Sequence, residues 1–253
     1  MKVDGYEHGV PSWVDHGTSN LDGSVAFYTA LFGWDVQDMG EDAGHYHIAS
    51  LRGLPVAGIG PLMDGSGITR WTTYVNVDDA DEVIDKIKKE GGTVVFGPMD
   101  VMDQGRMAVA IDPAGAAFGI WQPRVHIGAQ LVNEPGAFSW NHLLSHDIEK
   151  ASAFYSAVFG WGVETDEENN SKNFSVNGRV VCGGMQIGED MPAGIPSYWE
   201  PYFGVESADQ AAKKVEDLGG KVNMGPMDMA DAGRIASVMD PEGAAFGIWE
   251  ATE

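Results

Sequence analysis

Three segments of this chain occur twice, in the same order, and that duplication limits the fold more than any other feature. Phe27-Tyr28-Thr29-Ala30-Leu31-Phe32-Gly33-Trp34 recurs 127 positions later as Phe154-Tyr155-Ser156-Ala157-Val158-Phe159-Gly160-Trp161. Gly97-Pro98-Met99-Asp100 recurs 128 positions later as Gly225-Pro226-Met227-Asp228. The run from Asp112-Pro113-Ala114-Gly115 to Phe118-Gly119-Ile120-Trp121 returns at that offset from Asp240-Pro241-Glu242-Gly243 to Phe246-Gly247-Ile248-Trp249. A period this long is a whole domain and not a solenoid repeat. The 253 residues therefore read as an amino-terminal domain, 1–122, a linker, 123–134, bracketed by Pro123 and Pro135, and a carboxy-terminal domain, 135–253.

Inside each half, strand and helix periods alternate. Gly9 to Thr18 reads as a strand, and Asp22 to Phe32 as a helix with Val25, Tyr28, Leu31 and Phe32 on one face, ended by Gly33. Alternating runs follow at His45 to Leu51 and Pro55 to Ile59, turned by Arg52-Gly53-Leu54. The order then restarts with a strand at Trp71 to Val77 and a helix at Asp79 to Lys89, whose Lys86, Lys88 and Lys89 suit its negative C-terminal end. Thr93 to Phe96, Met107 to Ile111 and Ala117 to Trp121 supply three more strands. Each half is thus βαβββ twice, an α+β organisation.

Composition narrows the partners. Lys and Arg number 15 against 38 Asp and Glu, a formal charge of −23 that repels phosphate backbones and anionic headgroups, so neither nucleic acid nor a membrane is expected. The single cysteine, Cys182, lies in an apolar strand and reads as a buried thiol in a reducing compartment. The first residues carry no secretory apolar run, and no later stretch reaches the roughly 20 apolar residues that span a bilayer. The expectation is a cytoplasmic protein, monomer or homodimer, whose partner is a small molecule.

The paired βαβββ units, the F-Y-x-x-x-F-G-W motif after the first helix and the terminal D-P-x-G-A-x-F-G-I-W resemble the vicinal oxygen chelate superfamily, and within it the tandem glyoxalase/bleomycin-resistance/dioxygenase-like proteins. The resemblance covers almost the whole chain. It implies two glyoxalase-like domains, each a curved half-barrel sheet with helices outside. It also implies a concave site where a divalent metal is held by His, Gln or Glu and two substrate oxygens complete the shell. The superfamily contains lyases, dioxygenases and binding proteins without catalysis, so fold alone does not choose among them.

Counting to the ligand positions that the resemblance implies gives Trp13 and Trp140 on the first strands, Gly119 and Gly247 after the D-P-x-G turns, and Thr72 and Glu200 on the fifth strands. Only Glu200 of these is a metal ligand, so no metal cofactor is expected. Asp15 and His142 stand two residues beyond the two tryptophans, on the same strand face, and could join a substitute divalent site only if the halves met face to face. With Glu200 they are the candidates for acid/base chemistry, should the protein be a glyoxalase-like lyase or a dioxygenase. His45 and His47 read as hairpin surface.

The remaining signal is apolar. Strand parity aims Trp121 and Trp249 inward beside Trp13 and Trp140, with Trp71, Trp199, Met99, Met102, Met227 and Met229 on or near neighbouring strands. These describe a cup for a flat, soft ligand, with Asp15, His142, Arg106 and Arg234 as the polar groups that would orient it. The two arginines sit in matching G-R-x-A turns amid many acids, where ion pairing is the alternative.

Overall fold

A computed structural model describes residues 1–62, 67–167, 171–189, 191, 194–229 and 232–252. The first half runs β1 (Pro11–Thr18), α1 (Leu21–Phe32), β2 (Asp35–Asp38), β3 (His47–Leu51) and β4 (Leu54–Pro61), then β5 (Arg70–Asn76), α2 (Ala80–Lys89), β6 (Thr93–Val101), β7 (Gly105–Ile111) and β8 (Ala117–Pro123). The second half repeats it as β9 (Phe138–Ser145), α3 (Ile148–Phe159), β10 (Gly162–Asp166), β11 (Ser171–Val176) and β12 (Arg179–Gln186), then β13 (Tyr198–Gly204), α4 (Ala208–Asp217), β14 (Lys221–Met229), β15 (Gly233–Met239) and β16 (Ala245–Glu250).

Local chemistry sets these boundaries. The Asn20 side chain accepts from the Gly23 amide to start α1, Asp147 accepts from Lys150 to start α3, and left-handed Gly33 and Gly160 stop the two helices. Asp79 caps α2, and Lys86, Lys88 and Lys89 occupy its last turn. β2 and β10 escape sequence periodicity because they are short, largely exposed edge strands with no apolar alternation.

Each half forms one eight-stranded open sheet, ordered β2-β3-β4-β1-β5-β8-β7-β6 and β10-β11-β12-β9-β13-β16-β15-β14. The sheets divide where the repeat divides, but the hydrophobic core does not. Val14, Phe27, Tyr28 and Leu31 of the first module pack with Phe203, Val215, Val238 and Phe246 of the last. Val83, Ile87, Phe118 and Ile120 of the second pack with Leu143, Phe154, Tyr155 and Phe174 of the third. Each such side chain is worth about 1.5–3 kcal/mol when buried, so each core needs both halves. The connecting segment is likewise packed: the Ala129 amide donates to Ser12 O at 2.8 Å, the Gln130 amide to Pro55 O at 2.8 Å, and Leu131 is buried. Among the described residues no helix is long and apolar enough to cross a membrane.

Candidate functional site

Two of the three duplicated motifs, F-Y-x-x-x-F-G-W and D-P-x-G, meet each other across the halves. The Tyr28 hydroxyl of α1 donates to Asp240 Oδ2 at 3.0 Å while accepting from Trp71 Nε1 at 2.9 Å. The mirror contact joins Tyr155 to Asp112 at 2.9 Å and Trp199 to Tyr155 at 2.8 Å. Trp34 Nε1 donates to Gly136 O and Trp161 Nε1 to Gly9 O, both at 2.7 Å, so each F-G-W tryptophan anchors the other half's approach to its first strand. Trp71 and Trp199 are therefore interface residues and do not line a cup. They neighbour Thr72 and Glu200 on their strands, and alternation sends them to the opposite face.

The mirror breaks at His16. His16 Nε2 lies 2.7 Å from Asp240 Oδ2, fully buried, whereas the second half places Leu143 at that point of the duplication. Burial pushes Asp240 upward, but the hydrogen bond and charge of His16 outweigh it and hold the carboxyl below its ordinary value. Asp112 has no such partner, and burial raises it despite the amides of Ala116, Ala114 and Gly115 and the Tyr155 hydroxyl.

The halves pack through their helix-bearing faces, where Thr73 Oγ1 donates to Asn141 Oδ1 at 2.6 Å in the buried contact between β5 and β9. Asp15 and His142 lie on the opposite faces of their sheets, so they do not come together as one site.

In the amino-terminal cup, Asp15 faces Gly58 on β4 and Thr72 on β5. An open cleft of about 170 Å³ is lined here by Asp15, Tyr46, Arg70, Thr72 and Tyr74, with Leu62, Phe96, Met107 and Val109 as its apolar side. Tyr46 lies flat over Gly58 and Gly60: a Cβ on Gly58 would fall 1.8 Å from its hydroxyl oxygen, so the two glycines make room for the ring. Trp13 Nε1 donates to the Tyr46 oxygen at 2.9 Å, and that hydroxyl stands 3.4 Å from Asp15 Oδ2. Burial lifts Asp15 to about 7, only partly offset by hydrogen bonds from Tyr74 and Tyr46 and by the Arg70 charge. Trp13 and Trp121 are sealed beside the cleft and do not line it. His126 of the connecting segment packs edge-on against both rings, at 4.5 and 5.6 Å, and accepts at its carbonyl from Trp121 Nε1 at 2.8 Å.

The carboxy-terminal cup carries other groups. His142 faces Glu200 across β9 and β13 and rests against Gly183, where a Cβ would meet its Nδ1 at 3.1 Å. Burial lowers His142 to about 4, leaving a neutral imidazole. Glu200 is buried and accepts from Ser237 Oγ at 2.6 Å; burial raises its carboxyl against the hydrogen bonds of Ser237 and Tyr202. Trp140 and Trp249 are half-buried at this cup, Trp249 Nε1 donating to Ala232 O at 2.6 Å.

The other candidates lie elsewhere. Arg106 pairs with Asp81 and Asp100 at 2.9–3.1 Å, and Arg234 with Asp209 and Asp228 at 2.8–3.1 Å, on the outer surface: four surrounding acids hold these guanidiniums away from the cups. Met99, Met102, Met227 and Met229 are exposed on or beside the edge strands β6 and β14, outside the cleft lining. His45 bonds Asp38 at 3.0 Å on the surface. Cys182 is fully buried with its thiol pushed up by burial. The sequence reading passed over Tyr74, Phe96, Met107 and Val109, and set Tyr46 aside with its flanking histidines. The usable signals were the parity of Tyr74 with Thr72 and the Gly58-x-Gly60 pair.

The residues at the counted metal positions do not fit a divalent ion. A Cβ on Gly119 would land 2.2 Å from the Tyr74 ring, and one on Gly247 2.1 Å from the Tyr202 ring, so these phenols fill the space a ligating side chain would need. Trp13, Trp140 and Thr72 offer no strong donor, Glu200 is engaged by Ser237, and among the described residues no three His, Cys, Asp or Glu gather around one point.

This architecture and its motifs place the chain in a known class. It belongs to the Glyoxalase/Bleomycin resistance protein/Dioxygenase superfamily, which matches at residues 12–120 and 137–248. A relative from Mycobacterium bovis, named "Putative glyoxylase CFP32", is 40% identical over 96% of this chain and 95% of its own length. The "Anthracycline biosynthesis protein DauV" of Streptomyces sp. strain C5 is 34% identical over 97% of this chain and 94% of its own. Among solved structures, the Mn(II)-bound glyoxalase from Novosphingobium aromaticivorans aligns at TM-score 0.68 and 17% identity over 98% of this chain and 84% of that one. The 2,3-dioxygenase LapB from Pseudomonas sp. KL28 aligns at TM-score 0.68 and 13% identity over 98% and 94%. At such identities the likeness is one of fold.

Proposed function

We propose that the chain binds a planar, apolar or aromatic small molecule bearing at least one oxygen in its amino-terminal cup, and that it does so without the divalent metal implied by the superfamily. The observation that carries this reading is the cleft itself, with Phe96, Met107 and Val109 on one side and Asp15, Tyr46, Thr72 and Tyr74 as convergent polar groups. An apolar slot with a few directed donors selects flat ligands by stacking and orients them by hydrogen bonds. The Streptomyces relative named for anthracycline biosynthesis supports a ligand of the polycyclic aromatic kind.

The test is a titration of tryptophan fluorescence with 1,4-dihydroxyanthraquinone. Saturable quenching at one equivalent per chain is expected, weakened about tenfold, or about 1.4 kcal/mol, by Phe96→Ala and unchanged by Trp140→Ala. No saturable quenching, or binding lost with Trp140→Ala and kept with Phe96→Ala, contradicts the reading.

A further inference from the structure

The two cups have diverged, whereas the interface keeps its central hydrogen bonds in both copies. Tyr28 and Tyr155, Trp71 and Trp199, and Asp112 and Asp240 are identical pairs making mirrored hydrogen bonds. Strand registers instead align Asp15 with His142, through Gly58 and Gly183, and Tyr46 with Ser171, two residues before the partners of those glycines. The Asp15 and Tyr46 pairing therefore belongs to one half alone, and inherited packing does not explain it.

Its geometry suits chemistry. The Tyr46 oxygen accepts from Trp13 Nε1 at 2.9 Å, which occupies one lone pair and leaves the phenolic proton to donate elsewhere. Its nearest acceptor, Asp15 Oδ2, is 3.4 Å away, long beside the usual 2.7–2.8 Å or so of an O–H···O bond. A ligand oxygen in the cleft can therefore claim that proton. The groups facing the Asp15 carboxyl are Tyr46, Tyr74 and Arg70, and the apolar Phe96, Met107 and Val109 line the cleft beyond them.

We infer that Asp15 and Tyr46 make this cup a proton-transfer site acting on a cyclic aromatic ketone; the inference rests on the binding reading above. Asp15, as carboxylate, takes a proton from the carbon next to the ligand carbonyl. The C–H electron pair becomes a C=C bond, and the carbonyl π pair moves onto oxygen. The Tyr46 hydroxyl donates a hydrogen bond to that oxygen as negative charge gathers, with Tyr74 as the second phenol and Trp13 as the positioning residue that holds Tyr46. Asp15 then returns the proton to the same carbon or to one conjugated with it. The net change is hydrogen exchange or double-bond isomerisation, and no electrons leave the ligand. A carboxyl lifted by burial to about 7 populates both its forms near neutrality, as a group that takes and returns a proton requires.

The experiment follows ¹H loss at the benzylic CH₂ beside the carbonyl of 2-tetralone in D₂O, with tryptophan quenching by the same compound measured in parallel. Exchange about 100-fold above buffer is expected, rising with pH through about 7 as Asp15 ionises. With each protein saturated, as judged from its own quenching curve, Asp15→Asn should bring exchange to the buffer rate and Tyr46→Phe should slow it about tenfold. Bound 2-tetralone exchanging no faster than in the Asp15→Asn protein overturns proton transfer and leaves the binding reading intact, whereas no quenching at all overturns both. Should Asp15→Asn fail to fold, Tyr46→Phe and the pH profile decide, and a parent rate that is flat through pH 7 and insensitive to Tyr46→Phe refutes the inference.

Discussion

The amino-terminal and carboxy-terminal cups share strand order, register and a tyrosine laid over a glycine, Tyr74 on Gly119 and Tyr202 on Gly247. They differ in the other side chains that could meet a ligand. The first holds a carboxyl between two phenols beside an apolar slot, and the connecting segment seals its tryptophans under His126. The second holds a neutral imidazole opposite a carboxyl already satisfied by a serine. Duplication preserved what ties the halves together, because each D-P-x-G aspartate needs the other half's tyrosine. It released the concave faces, which lie away from those hydrogen bonds.

The largest expected effect tests the preserved side of that comparison. Phe118→Ala and Phe246→Ala, at equivalent points of the repeat, should each cost about 3–5 kcal/mol and give one cooperative denaturation transition. Two transitions, or a loss confined to one half, would show that the cores are not shared. His16→Leu installs in the first half what the second half already has, and should cost about 3 kcal/mol at neutral pH by stranding a buried carboxylate. Asp240 is held low in the folded state, so its contribution is present above the ordinary carboxylate value and fades as pH falls through the lowered one. The cost of His16→Leu, read from urea midpoints, should therefore shrink toward acid.

The fold was legible because two of its three duplicated motifs are interface motifs. Tyr28, Trp34 and Asp240 recur in sequence for the same reason they bond in space, so repetition reveals architecture and says little about ligands. Asp15 and His142 were placed on concave faces by parity from Trp13 and Trp140, which, like Glu200, came from the ligand positions that the resemblance implies. Trp71 and Trp199 were misplaced because aromatic content does not tell which face a strand buries, and here both faces of each sheet are partly covered. Tyr46 was obscured by its surroundings: it sits between two surface histidines, and its place over Gly58 and Gly60 follows from the pairing of β3 with β4, which no local pattern encodes. Phe96 lies where β6 loses regular register, so alternation could not orient it.

Two smaller effects sharpen the divergence of the cups. Asp15 is raised in the folded protein, so between about 4 and 7 the folded state holds a proton that the unfolded chain releases, and stability should fall as pH rises through that window. Asp15→Asn should abolish this fall and exceed the parent at pH 8 by roughly 2 kcal/mol, about half of what 1.4 kcal/mol per pKa unit gives for a fully dry site. Equal pH slopes for parent and variant would remove Asp15 from the comparison. The smallest shift is the tenfold loss of aromatic ligand with Phe96→Ala set against none with Trp140→Ala, which separates the cups by ligand affinity and not by stability.

The most direct measurement is a crystal structure of the protein with 1,4-dihydroxyanthraquinone. The expected result is one ligand per chain in the amino-terminal cup, its ring against Phe96 and Met107 and an oxygen within hydrogen-bond distance of Tyr46 or Asp15, with no ligand over Trp140 and His142. A ligand seated between Trp140, His142 and Glu200, with Tyr46 and Asp15 untouched, would contradict the assignment of binding to the first half.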